Sequence, residues 1–238
     1  MNPYDWYQEN NIELINNDPV EKVDKENKIV TTSKSIEVEY DICIFATGSK
    51  AFVLPIPGSN LPSVIGWRTI DDTNKMIEIA QTKKRAVVIG GGLLGLECAR
   101  GLLDQGMEVT VLHLADWLME MQLDRKAGEM LKADLEKQGM KIELQANSKE
   151  IIGDKDVEAI KLADGRVIET DLVVMAVGIR PYTEVAKDSG LDVNRGIVVN
   201  DYMQTSDSHI YAVGECAEHD GKVYGLVVPL YKQGKEIA

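Results

Sequence analysis

The sequence predicts an α/β fold built from two related βαβ units, the first of them incomplete. Three observations carry this expectation. First, an apolar run, Ala86-Val87-Val88-Ile89, leads into Gly90-Gly91-Gly92-Leu93-Leu94-Gly95 and then into a helical pattern. Second, Ile12-Glu13-Leu14, Asp41 and Gly48 recur as Ile142-Glu143-Leu144, Asp171 and Gly178, at a constant offset of 130. Third, Ile44-Phe45-Ala46-Thr47-Gly48, Val174-Met175-Ala176-Val177-Gly178 and Ile210-Tyr211-Ala212-Val213-Gly214 share one pattern, an apolar run ending in glycine. The units are Rossmann-like, each carrying a three-stranded antiparallel meander.

Taken in order, residues 1–10 are polar and aromatic. Short strand-like pieces follow at Ile12–Leu14, Val20–Val23, Lys28–Thr31 and Ile36–Glu39, separated by Asn16-Asn17-Asp18-Pro19 and Asp24-Lys25-Glu26-Asn27. They feed an expected buried strand over Ile42–Ala46. Residues 55–66 carry Pro55, Pro57, Gly58, Pro62 and Gly66 and read as a linker. A helix opens near Arg68-Thr69-Ile70-Asp71-Asp72 and runs to about Thr82, with Asp71 or Asp72 in its capping region. After the glycine unit come a helix from Leu93 to Gln105, a strand from Met107 to Leu112 and an amphipathic helix from Leu123 to Gln138. The second meander is expected from Lys141–Gln145, Ser148–Ile152, Val157–Leu162 and Arg166–Glu169, ahead of a buried strand at Leu172–Ala176. Shifted by the same offset, the start of the first unit lies 44 residues before Met1, so the chain reads as truncated, with its first glycine loop upstream.

Bulk properties exclude several classes. A net charge of -13 argues against nucleic acid or an anionic membrane surface as partner. No apolar run reaches the ~18 residues of a membrane span, and the N-terminus lacks the pattern of a signal peptide. Cys43, Cys98 and Cys216 form no C-x-x-C pair, as expected of a reducing, cytoplasmic setting. Cys43 and Cys98 read as core residues.

Gly90, Gly92 and Gly95 fit G-x-G-x-x-G between a strand and a helix. Gly90 permits the tight turn, Gly92 the approach of a pyrophosphate, and Gly95 the packing of helix on strand, while the helix N-terminus attracts phosphates. Glycine at a strand end, as at Gly48, Gly178 and Gly214, lets a flat or anionic ligand reach the backbone. The ribose reader is expected just after Leu112, where an acid suits NAD and an arginine NADP. His113 stands there instead, either a ribose contact or a surface histidine. Asp116 is a weaker alternative reader. The absence of Arg or Lys between Glu108 and Gln122 leans toward NADH. Glu97, two residues past Gly95, either favours the helix dipole or points toward the nicotinamide. Cys216 and His219 lack the second pair that a metal site needs, so no metal is expected. No catalytic nucleophile or acid–base pair stands out.

Ala46-Thr47-Gly48, Gly90-x-Gly92-x-x-Gly95-x-Glu97, Ala176-Val177-Gly178-Ile179-Arg180-Pro181 and Tyr211-Ala212-Val213-Gly214-Glu215, in this order, resemble the FAD/NAD(P)-dependent pyridine nucleotide-disulphide oxidoreductase family. Asn2-Pro3-Tyr4-Asp5-Trp6-Tyr7, Val111-Leu112-His113-Leu114 and Gly214-Glu215-Cys216 look most like its nitrite reductase large-subunit branch, in the N-terminal flavin portion. That resemblance implies a partial FAD-binding domain at 1–66 and 182–238, with an NAD(P)H-binding domain at 67–181 inserted. It implies FAD contacts at Thr47, Gly48, Arg68, Gly214 and Glu215, and NAD(P)H contacts at Gly90, Gly92, Gly95, Glu97, His113 and Gly178. It further implies electron transfer from NAD(P)H through FAD to an acceptor domain or protein of iron–sulfur or sirohaem type. The sequence departs from the family in three ways: it has no first glycine loop, Glu215 replaces the usual Asp, and there is no redox-active cysteine pair. Binding of NAD(P)H without flavin or turnover is the alternative, and a homodimer would cover an open flavin half.

Overall fold

The computed structural model describes residues 2–237. In chain order its elements are α1 (Tyr4–Glu9), β1 (Val20–Asp24), β2 (Ile29–Thr32), β3 (Glu37–Glu39), β4 (Cys43–Phe45), β5 (Ser49–Ala51), β6 (Val64–Gly66), α2 (Ile70–Ala80), β7 (Arg85–Ile89), α3 (Leu93–Asp104), β8 (Glu108–Leu112) and α4 (Arg125–Lys137). There follow β9 (Lys141–Glu143), β10 (Ser148–Ile152), β11 (Ala159–Leu162), β12 (Val167–Glu169), β13 (Leu172–Met175), β14 (Ile179–Pro181), α5 (Glu184–Asp188), β15 (Ile197–Val199), β16 (Ile210–Ala212), β17 (Ala217–His219), β18 (Lys222–Val223) and α6 (Val227–Glu236). They form two compact units, one of residues 50–180 and one of the flanking residues 1–49 and 181–238.

The central unit is organised around a parallel five-stranded sheet of order β6-β13-β7-β8-β9. Its middle strand β7 is apolar from Ala86 to Ile89 because both faces are covered there. Ala86 and Val88 pack with Met76 of α2 and Cys98, Ala99 and Leu102 of α3. Val87 and Ile89 point the other way, onto Ile151, Ile160 and Leu162 of the antiparallel sheet β10-β11-β12. Burying each such valine or isoleucine is worth roughly 1.5–3 kcal/mol. The helix α2 starts at a capping box, in which the Asp72 amide donates to Thr69 Oγ1 and the Thr69 amide to Asp72 Oδ2.

Several expectations are corrected here. The segment 55–66 is not a free linker: Ile56, Leu61 and Val64 pack into the core and β6 pairs with β13. Its prolines and glycines shape turns over a buried surface. Lys141–Gln145 supplies β9 to the parallel sheet rather than a strand to the meander, which keeps three strands. Its counterpart, Ile12–Leu14, forms no strand, and Ile12 and Leu14 are exposed. A strand needs a neighbour for its backbone groups, and among the described residues this segment has none.

In the flanking unit β1-β2-β3 form the first meander, and β4 pairs in parallel with β16. Phe45, Ile197, Ile210 and Ala212 centre its core. The strand expected to be buried at Ile42–Ala46 is buried on one side only. Phe45 is 5% exposed, whereas Ile42 and Ile44 are 50% and 49% exposed. The alternating side chains of β4 face a core on one surface and solvent on the other.

Candidate functional site

The glycine loop joins β7 to α3. Gly90 has a backbone φ of +120°, and a methyl group there would sit 2.3 Å from the carbonyl oxygen of Ala176. Gly90 is therefore demanded twice, by conformation and by space. Gly95 is demanded by packing. Gly92 has no protein atom within 4 Å of where a methyl would lie. It is the N-cap of α3 and offers no side chain to the amides of the first turn. The open space over Gly92 and the helix terminus behind it suit an anionic group. Gly91, a variable position in the sequence motif, is closed as well, since a methyl group there would lie 2.7 Å from His113 Cγ and from Leu118 Cδ2.

A cleft of about 690 Å³ opens over this loop. Its walls include Gly90, Gly91, Gly92, Leu93, His113, Glu120, Ser148 and Gly178, with apolar side chains of Phe52, Leu54 and Ile56. Size and lining match a nucleotide-sized ligand. Ser148 Oγ is buried in that wall without a hydrogen-bond partner among the described residues. Gly178 has a φ of +114° and open space above it, and its carbonyl accepts from the Phe52 amide at 2.9 Å. Arg180 stacks 4.2 Å over the Phe52 ring.

His113 is 7% exposed and both its ring nitrogens are engaged. The Gly91 amide donates to Nδ1 at 3.0 Å, and Nε2 lies 2.9 Å from Glu120 Oε2. Nδ1 is thus an acceptor, so the neutral ring carries its proton on Nε2 and donates to Glu120. The sequence presents His113 as a ribose contact or a surface residue; the structure buries it as a brace beneath the loop. Asp116 pairs with Arg125 and does not line the cleft. Glu97 is exposed on α3 outside the cleft lining. The first turn of α3 contains no acid, so Glu97 lies beyond the reach of the helix-terminal dipole. Gly91, Glu120 and Ser148 escaped the sequence reading. Three consecutive glycines were a signal for Gly91; Glu120, in an irregular segment after β8, had none.

In the flanking unit Gly48 and Gly214 close β4 and follow β16, with φ of +65° and +84° and open space at each. Thr47 Oγ1 donates to the Tyr182 carbonyl at 2.9 Å, and Ser49 Oγ donates to Glu215 Oε2 at 2.7 Å. Arg68 lies in the central unit, exposed, with its amide donating to Asp72 Oδ2 at 3.0 Å. Cys216, Glu218 and His219 turn to separate partners: Phe45 O, the amides of Arg195 and Gly196, and Asp201. No helix among the described residues is long and apolar enough to cross a membrane.

A family model described as pyridine nucleotide-disulphide oxidoreductase matches residues 6–234. The chain belongs to that family. A solved FAD-dependent pyridine nucleotide-disulphide oxidoreductase from Desulfovibrio vulgaris superposes with a TM-score of 0.81 at 30% identity, over 92% of this chain and 59% of that one. The whole chain is 57% identical to the NAD(P)H nitrite reductase of Bacillus subtilis (strain 168), covering 30% of that protein. It is 40% identical over 97% of its length to the NADH nitrite reductase large subunit of Escherichia coli (strain K12), covering 28% of it. It thus spans less than a third of either relative. The solved NAD-dependent persulfide reductase from A. fulgidus superposes with a TM-score of 0.92 at 31% identity, over 98% of this chain and 45% of that one. That structure shares the α/β fold seen here.

Proposed function

We propose that this chain is the NAD(P)H-dependent flavin oxidoreductase module of a nitrite reductase large subunit, passing electrons from NAD(P)H through FAD to a downstream acceptor. The observation that carries this reading is the uncovered Gly92 at the mouth of a nucleotide-sized cleft. Residues 67–181 would form the NAD(P)H domain, with Gly90, Gly92, Gly95, His113 and Gly178 around the nucleotide and Glu97 nearby. Residues 1–66 and 182–238 would form a partial FAD domain, with Thr47, Gly48, Gly214 and Glu215, and Arg68 with them by resemblance. The geometry of Gly48 and Gly214 supports this, since both are strand-end glycines open to a flat ligand. FAD, when bound, supplies the change from two-electron to one-electron chemistry. The protein's own part is to hold and orient: the loop amides meet the phosphates, and the apolar wall of Phe52, Leu54 and Ile56 keeps water from the cleft. The acceptor is an iron–sulfur or sirohaem centre by resemblance, and the setting is cytoplasmic, in keeping with three free thiols.

The test is a visible spectrum with an NADH–ferricyanide assay, alongside fluorescence titration with NADH. A yellow protein that turns over supports the full reading. Saturable NADH binding without flavin or turnover, even after FAD is added, supports the narrower reading of a nucleotide-binding module. That reading is favoured by the glycine loop after β7, whose Gly90, Gly91 and Gly92 line the cleft. Absence of NADH binding overturns both.

A further inference from the structure

Among the residues lining the cleft, Glu120 is the one carboxylate, and there is no lysine or arginine. Its side chain is 35% exposed, so it is reachable from solvent yet partly desolvated. It is held at the edge of the glycine loop by two routes. His113 accepts from the Gly91 amide and donates to Glu120 Oε2. The Met119 amide donates to the Gly91 carbonyl at 3.0 Å. Met119 takes a left-handed backbone, φ +58°, which a non-glycine residue adopts only when its surroundings hold it there. The amides of Gln122 and Leu123 both donate to its carbonyl at 2.8 Å. The chain thus spends backbone strain and a buried imidazole on placing one carboxylate beside the loop.

The end of the second strand, β8, is where this architecture reads the ribose next to the adenine. His113 stands there, but both its nitrogens are committed. Asp116 is committed to Arg125. Glu120 has one oxygen on His113 and the other free to accept from a ribose 2′-hydroxyl. A 2′-phosphate at the same place would meet a carboxylate and no cation.

We propose that Glu120 is the ribose-reading residue and selects NADH over NADPH, with His113 as its positioning residue. This deepens the reading of the cleft as an NAD(P)H site and rests on it. His113 transmits the geometry of the loop to the carboxylate: when the Gly91 amide is in place, the ring has one tautomer and Glu120 one direction.

The experiment is fluorescence titration of the full chain and its variants with NADH and with NADPH. The unmodified chain is expected to bind NADH at least about tenfold more tightly. Glu120→Ala is expected to cut that preference about tenfold. Glu120→Gln, which keeps one acceptor oxygen for His113, offers the ribose hydroxyl an amide N–H and removes the charge, is expected to tighten NADPH while weakening NADH less than the alanine does. His113→Ala is expected to lower the preference without removing binding. Melting curves identify the folded variants, and the glutamine variant carries the test where the alanine does not fold. If the chain binds NADH and Glu120→Gln leaves the NADH-to-NADPH ratio unchanged, the inference falls and the cleft assignment stands. If neither nucleotide binds saturably, both fall together.

Discussion

A methyl group on Gly95 would lie 2.0 Å from the carbonyl oxygen of Gly90. The third glycine of the loop is therefore a condition for the turn made by the first. Neither atom belongs to a flexible side chain, so the conflict must be relieved by moving the helix off the strand. Gly95→Ala should cost about 2 kcal/mol or more of stability. Gly92→Ala meets nothing and should cost within about 0.5 kcal/mol, yet it should weaken NADH binding at least about tenfold, by filling the space over the loop. Urea unfolding and NADH titration on the two variants check this; equal urea midpoints for both would contradict it.

Asp171 accepts from the amides of Lys84 and Arg85 and from the Arg85 guanidinium. The Arg85 hydrogen bonds hold its carboxyl at about 2, below the ordinary 3.8. A carboxyl lowered in the folded state stabilises the fold above its unfolded value and stops doing so as pH falls toward the folded one. The contribution should be full at pH 7 and fade between about pH 4 and pH 2. Arg85 is 37% exposed, so screening trims its size. Asp171→Asn should cost about 1–2 kcal/mol at pH 7 and clearly less at pH 3, measured by guanidinium unfolding at both. A pH-independent difference would show that the pair contributes shape rather than charge.

Glu218, 5% exposed, accepts from the amides of Arg195 and Gly196 at 2.7 and 2.8 Å. Removing the carboxylate strands two amide donors, one of them buried. Glu218→Ala should lower stability by about 2–3 kcal/mol. Glu218→Gln, which retains an acceptor oxygen, should lose less. Thermal melts report both, and a glutamine variant as damaged as the alanine would count against this role.

The three cysteines should differ in reactivity. Burial pushes the Cys98 thiol up to about 12. Cys216 is 0% exposed, and its Sγ donates to the Phe45 carbonyl. Cys43 is only partly buried, though burial raises its thiol too. In the folded protein at pH 8, Ellman's reagent should modify Cys43 first, and the other two only after denaturation. Rapid loss of all three thiols would mean that the cores around Cys98 and Cys216 open readily.

Much of the fold was legible because local chemistry and global structure agree in the central unit. Val87 and Val88 are apolar in succession, which only a strand covered on both faces requires, and the glycines that follow permit one kind of turn. The capping of α2 by Thr69 and Asp72 was legible to within a few residues for the same reason. Burial was harder to read. Ile42 and Ile44 look as apolar as Val173 and Val174, yet they face solvent, because burial depends on what packs against a face. The repeat between Ile12–Leu14 and Ile142–Leu144 likewise showed common pattern without common structure, since one segment has a neighbouring strand and the other has none among the described residues.

The sequence by itself determined the α/β class, the family, the place of the glycine loop and the glycines that must stay glycine for conformation. Those features arise from neighbours in the chain, whose spacing is visible in a string of letters. Only the tertiary structure decided what His113 does, that Gly91 is closed by an imidazole, and that Glu120 rather than Asp116 lines the cleft. These depend on the irregular segment after β8 folding back so that Met119 meets Gly91. No periodicity encodes a contact of that kind, because it is made by loop backbone, held by hydrogen bonds between residues far apart in the chain.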